Sequence, residues 1–146
     1  MRPRDYQRSK VYAWEKKHLP SGRMVPFGEI QDYVNRVWEA EGLKYPPIVK
    51  PMNALDLHAG KANRRYCLFP KKGATEHTIL HEVAHSLTTN FEDDGDRHGP
   101  NFVGMMMKLM EKHLDVSLLS MWHSAKVAKV DFEMFPKYQL LDGLSD

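Results

Sequence analysis

In the segment T-I-L-H-E-V-A-H-S-L, residues 78–87, two histidines and a glutamate interrupt an otherwise apolar, helix-like run. Residues four apart on a helix lie about 40° apart in azimuth and about 6 Å apart along the axis, so His81 and His85 project side by side from one face. Two such imidazoles can grip one ion, at the roughly 2.0–2.1 Å that nitrogen ligands take on Zn²⁺. Glu82 is turned by about 100° from His81 and reaches over the open side of the ion, where its carboxylate can hold a water and take its proton. Chance expects only about 0.03 copies of H-E-x-x-H in a chain of this composition. Burying the three groups unpaired would cost on the order of several kcal/mol.

A catalytic zinc usually takes three protein ligands and keeps its fourth position for water, so one ligand must come from elsewhere. The metzincin pattern asks for Gly and His where this chain has Thr88 and Phe91, which removes that class. Glu92, Asp93, Asp94 and Asp96 are ligand-type residues, but a loop reading F-E-D-D-G-D-R is more often merely solvated. His98 is the strongest choice, thirteen residues after His85 and at the foot of the next helix; Glu111, farther along that helix, is the alternative.

H-E-V-A-H followed by H-G-P-N-F resembles the SprT-like zinc metallopeptidases, in which the first motif is completed by the histidine of an H-G-P-x-F-like motif opening the next helix. The resemblance covers about residues 65–113. It implies His81, His85 and His98 as ligands of one zinc ion per chain and Glu82 as the catalytic glutamate. The opening R-P-R-D-Y-Q-R-S-K-V-Y-A-W-E is similar to that of small actinobacterial and phage proteins described as metallohydrolases. SprT-like proteins often add a zinc ribbon of cysteine pairs; this chain has one cysteine, so their DNA-linked roles do not carry over.

Other residues have plainer readings. Met105, Met106 and Met107 read as core filler, and Cys67 as a small buried residue rather than a thiolate ligand. His18, His58, His77, His113 and His123 show no ligand spacing. The oxyanion that amide hydrolysis creates needs a donor, for which His123, Tyr66, Arg64, Arg65 and Asn101 are candidates that no spacing separates. An acid among Asp93, Asp94 and Asp96 is expected to orient a ligand imidazole through its free N–H.

These groups need a scaffold. Thr75 is a plausible cap for a helix running to about Thr89, with Glu76 in its first turn. Gly99-Pro100 restarts a helix whose buried stripe is Phe102, Met106, Leu109, Met110 and Leu114. Upstream, residues 5–18 read as a helix with Val11, Trp14 and His18 on one side, stopped by L-P-S-G. A second helix carries the stripe Phe27, Ile30, Val34, Val37 and Trp38, ending near Gly42. Prolines 46, 47 and 51 confine any strand there to a short edge piece. A hairpin is expected from Ala54–His58, a turn through Gly60–Asn63, and a return along Arg65–Phe69. A final helix spans roughly residues 116–129, and the tail from Phe135 is irregular.

The 146 residues, 42% hydrophobic and 27% charged, fit one compact α+β domain spanning 1–146, of minimal zincin type, with helices packed on a small, mostly antiparallel sheet. No apolar run approaches the roughly 18 residues of a membrane span. The basic N-terminus leads into no apolar core of a secretory signal, and a lone cysteine forms no internal disulfide, so a reducing, cytoplasmic setting is expected. Net charge is only +2, with seven Lys/Arg against three acids in residues 1–30. A solvated helix face accounts for that excess, and DNA association has no support beyond it.

The expected activity is zinc-dependent hydrolysis of a peptide or protein substrate, Glu82 removing the proton of a zinc-activated water and later delivering it to the leaving amine. The peptide is expected to add along the edge of the strand at residues 65–69, bordering the cleft. The rival is a non-catalytic, zinc-braced binding module with nucleic acid as its candidate partner. A structural zinc is normally closed by four protein ligands, which gives Glu82 no purpose.

Overall fold

A computed structural model describes residues 5–91 and 94–139. It is an α+β architecture of five helices and two small sheets. The order is α1 (Arg8–His18), β1 (Met24–Val25), α2 (Phe27–Ala40), β2 (Ile48–Pro51), β3 (Lys61–Ala62), β4 (Tyr66–Phe69), β5 (Ala74–Thr75), α3 (Glu76–Leu87), α4 (Pro100–Leu114) and α5 (Leu118–Val127). No helix among the described residues is long and apolar enough to cross a membrane.

The local signals for α3 and α4 act as expected. Thr75 caps α3 by accepting from the Thr78 amide, and Pro100 opens α4 after Gly99. Their packed faces meet in a core that also takes Val11 and Trp14 from α1, Ile30, Val34 and Trp38 from α2, and Cys67 and Phe69 from β4. The methionines 105–107 are fully buried, as is Cys67, whose thiol burial pushes up to about 12. On α1 the buried side differs from expectation: His18 is exposed, and Glu15 takes its place inside.

The sheets depart from the expected hairpin and mostly antiparallel sheet. The larger has the order β2-β4-β3, and its longest ladder is parallel, pairing Ile48–Pro51 with Tyr66–Phe69. Only β3 runs antiparallel to β4, and β1 pairs with β5 in a separate two-stranded ribbon. Pro51 lies on an edge strand, where its missing amide is tolerated.

The strand expected over residues 54–58 does not form. Asn53 Oδ1 accepts the Leu55 amide and Asp56 Oδ1 accepts the His58 amide, each at 2.9 Å. These turns, closed by short polar side chains on their own backbone, compete with strand pairing. Leu55 and Leu57, whose alternation looks strand-like, are left exposed. The described part of the expected tail, residues 135–139, is irregular; residues 140–146 lie outside the described residues.

Candidate metal centre

His81 and His85 stand on one face of α3, and the ring centroid of His98 comes within 5.5 Å and 4.7 Å of theirs. One ligand-type atom from each of the three lies within 4.8 Å of the others, a separation that lets them hold a metal ion. What returns His98 to α3 is the loop after Thr88. Gly95 has φ +66° and packs so closely on the Thr88 carbonyl that a side chain would collide with it. Asp96 then fixes the start of α4, accepting from the Asn101 amide at 2.7 Å and the Phe102 amide at 3.2 Å. Phe102 walls the group, stacked on His85 at 4.1 Å and edge-on to His81 and His98.

Carboxylates from the N-terminal segment set which nitrogens face inward. Glu15 Oε1 lies 2.7 Å from His81 Nδ1, and Asp5 Oδ2 lies 3.1 Å from His98 Nδ1. An ionised carboxylate only accepts, so each Nδ1 carries the proton and each Nε2 presents its lone pair. Gln7 secures the same segment by donating to the His98 carbonyl at 2.8 Å. His98 Nε2 is buried and has no hydrogen-bond partner. Such an orphan costs about 1–3 kcal/mol unless something fills the space, and a metal ion fits both the donor atoms and the vacancy in their bonding.

Glu15 does more than support His81, since the same oxygen lies 2.8 Å from His77 Nε2. Glu15, His77 and His81 form a second group of ligand-type residues sharing His81. His77 sits one helical turn before His81, so 77, 81 and 85 make one stripe, which the sequence reading of His77 as lacking ligand spacing missed. The oxygen Glu15 Oε2 is buried without a partner.

Electrostatics follow from burial and these contacts. Burial pushes Glu82 up to about 7, against the pull of His81. Burial alone would also raise Glu15, but the two imidazoles prevail and hold it at about 2. Burial lowers His85 well below the usual range, with the charges of His81 and His98 adding to the effect. For His81, burial is outweighed by Glu15, and the value rises to about 8.

Two arms of one cleft reach Glu82, with volumes of about 560 Å³ and 460 Å³. Arg8, Tyr12, His58, Gly60 and Glu82 line both; His77 and His81 line the first, His85 and His98 the second. A Cβ at Gly60 would stand 2.9 Å from Glu82 Cγ, so the loop before β3 rests directly on the glutamate.

Several expectations are corrected here. Glu111 is exposed about three turns along α4 from His98 and takes no part in the group. Asp94 pairs with Arg97, and Asp96 caps α4; neither orients a ligand imidazole, a contact made instead by Glu15 and Asp5. Glu92 and Asp93 lie outside the described residues.

None of the expected oxyanion donors lines either arm. Arg64 donates to the Tyr45 carbonyl, Arg65 lies over Phe91, Tyr66 faces Lys50, Asn101 binds the Lys137 backbone, and His123 belongs to α5. The strand that borders the cleft is β3, through Lys61 and Ala62; β4 is flanked on both sides and has no free edge.

The signal for α1's part was present but unread. Arg8, Tyr12 and Glu15 recur at i, i+4 and i+7, a polar stripe beside the apolar one. No protein-family model, curated protein or solved structure matches the chain.

Proposed function

We propose that the protein is a zinc-dependent metallohydrolase of minimal zincin type that cleaves peptide bonds, with His81, His85 and His98 holding the ion and Glu82 as general base. The observation that carries the reading is the buried, unpartnered Nε2 of His98, converging with two more imidazoles beside a buried carboxylate raised to about 7. Zinc, when bound in such a site, acts as a Lewis acid that lowers the pKa of water toward about 7 and polarises a carbonyl.

The chain's own residues do the rest. Glu15 and Asp5 hold the His81 and His98 rings by their Nδ1–H groups, so neither ring needs to turn as the ion enters. Glu82 accepts a proton from a water in the cleft as the water oxygen bonds to the scissile carbon. It then gives that proton to the amide nitrogen as the C–N bond breaks, leaving a carboxylic acid and an amine, and the acid's remaining proton passes to the amine to give a carboxylate and an ammonium. The outer edge of β3 takes the peptide as an added strand next to Glu82, with main-chain hydrogen bonds that select weakly among side chains.

Three imidazoles make up the group among the described residues, and three suit catalysis better than the four ligands of a structural brace. The SprT-like assignment rests on H-E-V-A-H and H-G-P-N-F alone. Metal analysis of protein purified without added metal, with digestion of a diverse peptide pool, tests the reading. About one zinc per chain is expected in wild type and in Glu82→Gln, with cleavage by wild type only. Equal cleavage by both would remove Glu82 from the reaction, and a metal-free wild type that refuses added zinc would end the proposal.

A further inference from the structure

Amide hydrolysis moves negative charge onto the scissile carbonyl oxygen, and a donor placed for that oxygen speeds the step far more than it strengthens substrate binding. Glu82 accepts protons in this scheme and the three imidazoles are occupied, so the donor must be another group near the point where the two arms of the cleft meet. Outside those residues, the side chains lining both arms and able to donate are Arg8, Tyr12 and His58.

Their surroundings separate them. The Tyr12 ring lies parallel to His81, 12° apart at 5.8 Å between centroids, and 4.9 Å from the His98 ring. It therefore stands over two of the three ligands. Arg8, one turn earlier on α1, lies over the same ring, with its guanidinium carbon 5.6 Å from the ring centre. Tyr12 is 43% exposed, so this ring is open to a bound substrate rather than sealed in the core. His58, by contrast, has Nδ1 bound to Asp56 at 2.7 Å on an exposed loop, and the Arg8 guanidinium lies over the Tyr12 ring.

We infer that Tyr12 is a catalytic residue whose hydroxyl donates a hydrogen bond to the carbonyl oxygen of the scissile amide as that oxygen becomes negative, with Arg8 as its positioning residue. The phenol keeps its proton throughout, and the proton balance of the reaction stays with water, Glu82 and the leaving amine. The inference rests on the hydrolase reading above.

The test uses the full zinc-loaded chain, one peptide that wild type cuts from the pool, and a phosphinic analogue of that peptide as a tetrahedral mimic. Tyr12→Phe removes one oxygen and keeps the ring. It is expected to lower kcat about 10²–10³-fold, to leave KM and zinc content unchanged, and to weaken the phosphinic analogue by a comparable factor. Arg8→Met is expected to lower kcat less, and to add nothing in the Tyr12→Phe background, the non-additivity of two groups acting as one.

A Tyr12→Phe enzyme with wild-type kcat overturns the inference, as does one whose only change is in KM or zinc content. A large kcat loss in His58→Gln with none in Tyr12→Phe gives the role to His58 instead. Failure of the wild type to bind zinc or cut any peptide is a different result: it defeats the hydrolase reading itself, and this inference with it.

Discussion

Two buried carboxylates, Glu41 and Glu15, look alike in burial and opposite in bonding. The Glu41 side chain is fully enclosed at the end of α2, with Oε1 accepting from the Tyr138 hydroxyl at 2.6 Å and paired with Lys108 at 3.0 Å, and Oε2 paired with Lys112 at 2.9 Å. Every oxygen is used, and the result is a clamp joining α2, α4 and the tail. Glu15 shares one oxygen between two imidazoles, leaves the other without a partner, and lies in a group whose neighbour His98 also keeps an unpartnered nitrogen. A saturated buried charge points to architecture, whereas buried polar atoms left unpaired in two groups that share His81 point to something that binds there.

That contrast can be broken experimentally, most severely at the ligands. His98→Ala should leave the purified protein with almost no zinc after dialysis, measured by elemental analysis, because two imidazoles on α3 give too few ligands. Retention of a full equivalent would move the third ligand elsewhere.

Glu15→Gln should weaken zinc binding about 10–100-fold in a chelator competition and, because His81 and His77 hold Glu15 at about 2, should also lower the thermal stability of the zinc-free protein. Glu41→Gln should spare the metal. It should cost about 1–3 kcal/mol of stability by denaturant titration, the exposure of both lysines limiting the effect, and leave zinc affinity unchanged. If both variants moved both quantities alike, the distinction between clamp and binding site would fail.

Acid titration separates wild type from Glu41→Gln further. Burial alone would raise Glu41, but Tyr138, Lys112 and Lys108 together hold it below the usual carboxylate range. A depressed folded-state value gives stability that is complete above the unfolded value of about 4.3 and disappears as pH falls through the folded one. The stability difference between the two proteins should therefore be constant from neutral pH down to about 5 and shrink below about 4. The smallest effect is expected at the loop over Glu82, the proposed general base. Gly60→Ala places a methyl 2.9 Å from Glu82 Cγ and should lower turnover roughly a few-fold at unchanged zinc content.

How much of this was legible in the sequence depended on range along the chain. His81, Glu82 and His85 lie within one helical turn or so, and Thr75 and Pro100 act on the helices they begin, so local spacing suffices for them. His98 was legible because the start of a helix can be recognised and the loop before it is long enough to turn back. Glu15 and Asp5 reach their histidines across sequence separations of 66 and 93, and nothing in spacing announces such a meeting. Tyr12 was hidden for the same reason.

The sheet misled for another reason. Alternating Leu55 and Leu57 next to a glycine-containing turn imitate a hairpin, but Asn53 and Asp56 bind their own backbone and leave β4 to find β2 in parallel. A parallel pair needs a crossover rather than a tight turn, and short polar turns do not reveal one.

Drawing its supports from α1 and its ligands from α3 and α4 has a temporal consequence. During synthesis Asp5 and Glu15 emerge from the ribosome more than sixty residues before the imidazoles they hold. Until then the first helix has no fold to close against, and contacts so distant in sequence form late. A nascent chain of this protein therefore cannot align the three-histidine group until His98 has followed the first helix by eighty residues.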